Sequence, residues 1–176
     1  FSGRTGELHL LVLGGSQGAR AINAAVPKVL ASLRGQGEIA VRHQSGEKLL
    51  EETRAAYAQA QVPADIQPFI ADMAQAYADA DVAICRAGAT TVAELAAVGV
   101  ASILVPFPFA VDDHQTTNAR YLADAGAALL VQQRELTAEH LAATLRRLTR
   151  ERLLDMADKA RALGKPGATR AVAEAC

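Results

Sequence analysis

"LHLLVLGGSQGAR" (residues 8–20) is an apolar run that stops at two glycines, passes Ser16 and Gln17, meets a third glycine and turns into a helical pattern. Six mostly apolar residues in a row suit a strand covered on both faces. Gly14, Gly15 and Gly18 let backbone N–H groups approach an anion closely. The helix that begins near Gln17 points its positive end at the same place, and Ser16 adds a hydroxyl donor. A tight turn with close packing would use the same glycines without any ligand. The spacing is not the G-x-G-x-x-G of dinucleotide-binding turns, and the lysine of a P-loop is absent.

The same strand-then-helix rhythm continues along the chain. Further strand-like runs are "IAVRH" (39–43), "IQPFI" (66–70), "DVAIC" (81–85), "ASILVPF" (101–107) and "AALLV" (127–131). Helical periodicity occupies 18–33, 47–60, 72–79, 91–98, 114–125 and 138–148, and 150–163 and 168–176 read as closing helices broken by "GKPG" (164–167). Strands alternating with helices imply parallel pairing through right-handed crossovers. The expectation is an α/β fold: a doubly wound, Rossmann-like parallel sheet of about six strands, forming one domain over 1–176. Ligands in such sheets bind beyond the carboxyl ends of the strands, where every polar motif of this chain falls.

Composition narrows the partners. Trp is absent and aromatics make up 4 %, which argues against a stacking surface for single strands. Net charge is −1 with no basic block, so nucleic acid is not an expected partner. Cys85 and Cys176 form no CxxC pair and no His/Cys cluster, which fits a reducing compartment and gives no reason to expect a metal or other cofactor. No apolar run approaches the ~20 residues needed to span a bilayer. The chain opens on Phe1 and a polar "SGRTGE", the composition of a linker, and is expected to be a piece of something longer.

Four motifs carry the chemistry. In "CRAGATTVAELAAVG" (85–99), Thr91 and Glu94 have capping-box spacing, which suffices to explain Glu94 structurally. The functional alternative makes Glu94 an acceptor for two sugar hydroxyls, with the amides of Ala89, Thr90 and Thr91 facing a second anionic group. In "PFPFAVDDHQTTNA" (106–119), Asp112 or Asp113 can cap a helix, while Gln115 and Asn118 share one face. Amides there suit a neutral, hydroxyl-rich ligand, and equally a polar first turn facing water. In "HQSG" (43–46), His43 has no carboxylate or nucleophile nearby and reads as an ordinary loop histidine. In "PFIADM" (68–73), Phe69, Ile70 and Met73 could flank a flat base or simply pack in the core. Together the motifs could hold two phosphates, a ribose, a neutral sugar and a base, which is the inventory of a nucleotide-sugar site.

"GGSQGA", "HQSG", "PFIADM…AYADADVAICRAGATTVAELAAVG" and "VPFPFAVDDHQTTNA", in that order, resemble the C-terminal half of the MurG glycosyltransferases over essentially the whole chain. These enzymes move N-acetylglucosamine from UDP-GlcNAc onto lipid I, making lipid II for peptidoglycan. The resemblance implies a GT-B architecture with the donor mostly on this half. Gly15, Ser16, Gln17 and Gly18 would hold the diphosphate. Ile70 would bond the uracil through its backbone, with Phe69 and Met73 beside it. Ala89, Thr90 and Thr91 would contact phosphates, and Glu94 would take the ribose hydroxyls. Gln115, with His114 and Asn118, would read the GlcNAc ring; relatives often carry Gln at the position of His114. The general base and the lipid I site are expected in an N-terminal half, so this chain alone should bind donor weakly and should not transfer. The implied location is peripheral, on the cytoplasmic face of the bacterial inner membrane, with membrane contact through the full-length protein and this half itself soluble. Alternatives are another UDP-sugar enzyme (a glycolipid synthase or a UDP-GlcNAc 2-epimerase), a stand-alone UDP-sugar-binding subunit, or a nucleotide-binding module without catalysis.

Overall fold

A computed structural model of the chain describes residues 3–15, 19–165 and 167. Six strands, β1 (Leu8–Leu13), β2 (Ile39–Gln44), β3 (Asp65–Gln67), β4 (Val82–Cys85), β5 (Ala101–Leu104) and β6 (Ala128–Leu130), form one parallel sheet in the order β3-β2-β1-β4-β5-β6. Seven α-helices accompany them: α1 (Arg20–Ser32), α2 (Leu50–Ala60), α3 (Met73–Asp79), α4 (Ala89–Val98), α5 (His114–Ala123), α6 (Ala138–Arg146) and α7 (Arg150–Leu163). The doubly wound sheet expected from the alternating pattern is therefore present.

The consecutive apolar residues are explained by burial on both faces. Every residue of β4 and of β5 is buried. Along β1, Leu10 and Val12 enter one core layer with Ile22 and Val26 of α1 and Leu141 of α6. Leu11 and Leu13 enter the other, where Ala76, Ala83, Ala96, Ala119 and Ala160 keep helices close to the sheet. Each fully buried leucine or valine contributes about 2 kcal/mol by removal from water. Pro27 lies inside α1 and removes the N–H that would bond the carbonyl of Asn23. Burial of Ile22, Val26, Val29 and Leu30 carries the helix through it.

β6 ends one residue short of its apolar run, and two other strands end earlier because of proline. β3 stops at Gln67 because Pro68 has no N–H to continue the ladder. β5 stops at Leu104, ahead of the Pro106 and Pro108 of the following loop. The closing helix at 150–163 is present, and the one expected at 168–176 lies outside the described residues.

The order of strand addition reverses between β1 and β4. The first three strands step outward from β1, and the chain then returns to lay β4 on its other side. Leu13 and Cys85 are paired at the carboxyl ends, so the two glycine-bearing turns emerge side by side at the topological switch point.

At the opposite end of the sheet, Asp81 ties the entering chain down. Its carboxylate meets Arg4 at 3.1 Å and Arg150 at 3.2 Å, and accepts the His9 N–H at 2.9 Å. Burial alone would raise its pKa, but the His9 N–H and the two guanidinium groups outweigh it and hold the carboxyl below its usual value. A depressed native pKa stabilises the fold above the unfolded value of about 3.9, and that contribution is lost as pH falls through the native pKa. Asp81→Asn is expected to cost about 3 kcal/mol at pH 7, the scale for breaking a buried pair. Thermal melts of the variant and the parent should converge as the pH drops below about 4.

Candidate functional site

The first turn is fixed by close approach. The Gly14 N–H donates to the Gln44 carbonyl at 2.8 Å. A Cβ on Gly14 would stand 2.9 Å from that oxygen and 3.0 Å from both the Ala19 nitrogen and Asn23 Oδ1. Among the described residues nothing stands within 4 Å of a Cβ on Gly15, but its φ is +72°, which side chains avoid. Ser16, Gln17 and Gly18 lie outside the described residues. Helix α1 begins at Arg20 with no side-chain cap and no acidic residue in its first turn.

The second turn overturns the capping-box expectation. Helix α4 begins at Ala89, with Gly88 in the N-cap position, so Thr91 is already its third residue. No side chain caps α4, and its first turn holds no acid. By contrast Asp72, Thr137 and Thr149 cap α3, α6 and α7 through their side chains. The free N–H groups at 89–91 thus resemble those of α1: two uncapped helix ends at one crevice, ready for negative charge.

Glu94, released from capping, is exposed and accepts the Tyr77 O–H on Oε2 at 2.9 Å. Tyr77 itself is buried. Burial, the neighbouring Cys85 and the Glu94 carboxylate all push its phenol above the usual range, so it stays a donor. One carboxylate oxygen is held in place and the other is left for a ligand. Cys85 is a free, fully buried thiol, pushed up to about 12 by burial and by Glu94.

Arg86 opens the second turn, directly after β4. It donates to the carbonyls of Val105 and Pro106 at 3.2 and 3.1 Å and to Gln133 Oε1 at 2.6 Å, and it lies 5.4 Å from the Phe107 ring centre. Burial lowers its pKa, yet a guanidinium remains charged. Arg86 makes no ion pair with a carboxylate among the described residues, and both its terminal nitrogens are held by these neutral acceptors.

The loop after β5 is held by the amides singled out in the sequence. Gln115 Oε1 accepts the Phe107 N–H at 2.9 Å, leaving its NH2 group for a ligand. Asn118 donates to the Ala87 carbonyl at 3.0 Å and so locks α5 to the second turn. His114 Nδ1 faces the Val111 carbonyl at 2.7 Å; a carbonyl only accepts, so Nδ1 carries the proton and Nε2 is the acceptor of the neutral ring. Neither Asp112 nor Asp113 caps α5. Both adopt left-handed backbone, with φ of 51° and 49°, and the Asp113 side chain makes no capping bond.

The apolar flank divides. Phe69 is 61 % exposed, which rules out simple core packing, whereas Ile70 is buried and Met73 packs partly beneath it. The Ile70 N–H is committed to Gln44 Oε1 at 2.9 Å, so only its carbonyl is left for a base. A cleft of about 170 Å³ gathers Gly15, Phe69, Met73, Thr91 and Glu94 with Arg86. Ala89, Thr90, His114, Gln115 and Asn118 stand outside its lining. A larger groove of about 390 Å³ crosses β1 and β2, but its one arginine, Arg42, is already paired with Asp65 and Asp79.

Three contributors were missed in the sequence. Gln44 follows His43 in a quoted motif; its backbone and side chain hold the first turn and the Ile70 segment together. Arg86 was signalled by a charge directly after four buried residues. Tyr77 carried no signal, because its spacing from Glu94 means nothing until α3 packs beside α4.

Residues 9–173 match the glycosyltransferase family 28 C-terminal domain. Over 176 residues the chain is 61 % identical to the UDP-N-acetylglucosamine--N-acetylmuramyl-(pentapeptide) pyrophosphoryl-undecaprenol N-acetylglucosamine transferase of Cupriavidus necator and 60 % identical to that of Aromatoleum aromaticum, all of this chain aligning with 49 % of each. The chain thus spans about half the length of the curated relatives it matches. The crystal structure of Acinetobacter baumannii MurG covers 96 % of this chain with 51 % of its own, at a TM-score of 0.90 and 46 % identity. The calicheamicin glycosyltransferase CalG4 shares the fold over 98 % of this chain and 44 % of its own, at a TM-score of 0.65 and 19 % identity.

Proposed function

The chain belongs to the glycosyltransferase family 28 C-terminal domains, and on that premise we propose that it is the donor-binding half of an inverting transferase that moves GlcNAc from UDP-GlcNAc to lipid I. The observation that carries the reading is the pair of uncapped, acid-free helix ends at the β1/β4 crevice, with Glu94 held open beside them. The diphosphate lies against the glycine turn and the amides at 89–91, with Ser16, Gln17 and Gly18 of the turn among its contacts. Phe69 and Met73 flank the uracil, and the Ile70 carbonyl accepts from it. Glu94 accepts the ribose hydroxyls. Gln115, with His114 and the positioning amide of Asn118, reads the sugar.

In the reaction the lipid I hydroxyl forms a bond to the anomeric carbon on one face while the bond to the UDP oxygen breaks on the other. The oxocarbenium-like transition state gathers negative charge on the departing diphosphate. Fixed amides, two helix ends and the Arg86 cation stabilise that charge without having to reorganise. The hydroxyl proton goes to a base in the N-terminal half that the relatives possess, which also holds the lipid acceptor. Among the described residues no helix is long and apolar enough to cross a membrane. The location we propose for the whole enzyme, from its family, is peripheral on the cytoplasmic face.

Calorimetric titration with UDP-GlcNAc, UDP-glucose and UDP tests the reading. UDP-GlcNAc is expected to bind more tightly than UDP-glucose. Equal binding of the two sugars would point to a different UDP-sugar enzyme, and no UDP binding would overturn the donor site.

A further inference from the structure

His43 is not the loop histidine its sequence context suggests. It lies in β2 with no exposed surface, and both ring nitrogens are engaged. Nδ1 is 2.9 Å from the Tyr57 hydroxyl and Nε2 is 3.0 Å from Asn23 Oδ1. The Asn23 NH2 donates to the Ser45 carbonyl at 2.9 Å and to Thr53 Oγ1 at 3.1 Å, while the Thr53 hydroxyl donates to the Leu49 carbonyl at 2.7 Å. For a neutral ring these bonds allow one proton arrangement. Asn23 Oδ1 can only accept, so His43 Nε2 carries the hydrogen; Nδ1 must then accept from Tyr57. The donation runs in one direction, from Tyr57 through His43 to Asn23.

The far end of this chain of bonds is the first glycine turn. Asn23 Oδ1 lies against Gly14 so closely that a Cβ there would be 3.0 Å away. Asn23 is also in the opening turns of α1, and the residue after His43 receives the Gly14 N–H. Three elements, α1, α2 and β2, thus meet at one imidazole beneath the glycine turn. Burial pushes the His43 pKa down to about 4, so the ring is neutral near pH 7 and holds the single tautomer the network needs.

We propose that His43 is a positioning residue for the diphosphate: relayed from Tyr57 and passed on through Asn23, its hydrogen bonds hold Gly14 and the start of α1 in the arrangement that receives the phosphates. The inference rests on the donor-site reading above. His43 does not touch the ligand; it sets where the first turn of α1 stands.

His43→Phe leaves Asn23 Oδ1 without a donor and can fail to fold, so Tyr57→Phe, which deletes one hydroxyl, is the working variant. Affinities for UDP and for uridine are measured by ligand-observed NMR and calorimetry on the parent and on Tyr57→Phe, with circular dichroism as the check on folding. The parent is expected to bind UDP more tightly than uridine. Tyr57→Phe is expected to lose about tenfold in UDP affinity, the scale of one net hydrogen bond, while uridine affinity stays unchanged. Loss of UDP and uridine affinity in parallel, or a lowered melting temperature with UDP affinity intact, would show that the network only supports the fold. A parent that binds UDP no better than uridine would overturn the donor-site reading itself, and this inference with it.

Discussion

Glu94→Gln is expected to lower affinity for UDP-GlcNAc about a hundredfold while leaving the melting temperature within a degree or two. The size follows from two charge-assisted hydrogen bonds to ribose hydroxyls, each worth about 1.5–3 kcal/mol; in the variant the amide oxygen stays with Tyr77, and the NH2 that replaces the other oxygen can donate to a hydroxyl but cannot accept from one. The unchanged stability follows from the start of α4. Thr91 is inside the helix, so Glu94 has no reciprocal partner to lose, and the bond from Tyr77 can still be accepted by a glutamine. Calorimetry and a thermal melt on the same preparation separate the two roles. A variant that binds normally and melts early would return Glu94 to a structural part. Because Tyr77 holds one of the carboxylate oxygens, the two residues form a donor and acceptor pair whose geometry exists before any ligand arrives.

Gly14→Ala carries the second large effect. Its Cβ would press on two backbone atoms, the Gln44 oxygen and the Ala19 nitrogen, and on the fixed Asn23 amide. None of these is the free end of a flexible chain. The substitution is expected to cost about 2–3 kcal/mol by overpacking and to remove measurable UDP binding, since the turn can relieve the contact only by moving away from β2. Gly15→Ala is the control. Among the described residues its site is open, so only the positive φ is strained, costing about 1 kcal/mol. Denaturant melts of both variants rank them directly; equal losses would mean that handedness, and not the approach to β2, sets the turn.

Much of the architecture was readable from one dimension. Apolar runs too continuous for a half-exposed strand, spaced by helical periods, imply a sheet covered on both faces, and such a sheet with parallel crossovers has few possible windings. Glycines in the turns after two of those runs located the ligand edge, because a βα turn at the switch point is where backbone must come close to something. The turn chemistry also marked strand ends imperfectly: Pro68 and Pro106 stop the ladders within runs that are still apolar.

The roles of individual polar atoms were not readable in this way. Spacing made Thr91 and Glu94 a capping box, but spacing cannot say where a helix begins when a glycine three residues earlier already serves as its N-cap. His43 looked idle because its partners, Asn23 and Tyr57, are 20 and 14 residues away and reach it only when α1 and α2 pack on β2. Gln44 and Tyr77 acquire their work in the same manner, from segments that meet across the sheet. Hydrophobic burial is set by pattern along the chain, so sequence suffices for the layers. Hydrogen bonds need a partner within about 3 Å in a given direction, and for residues far apart in the chain only the packed tertiary structure supplies one.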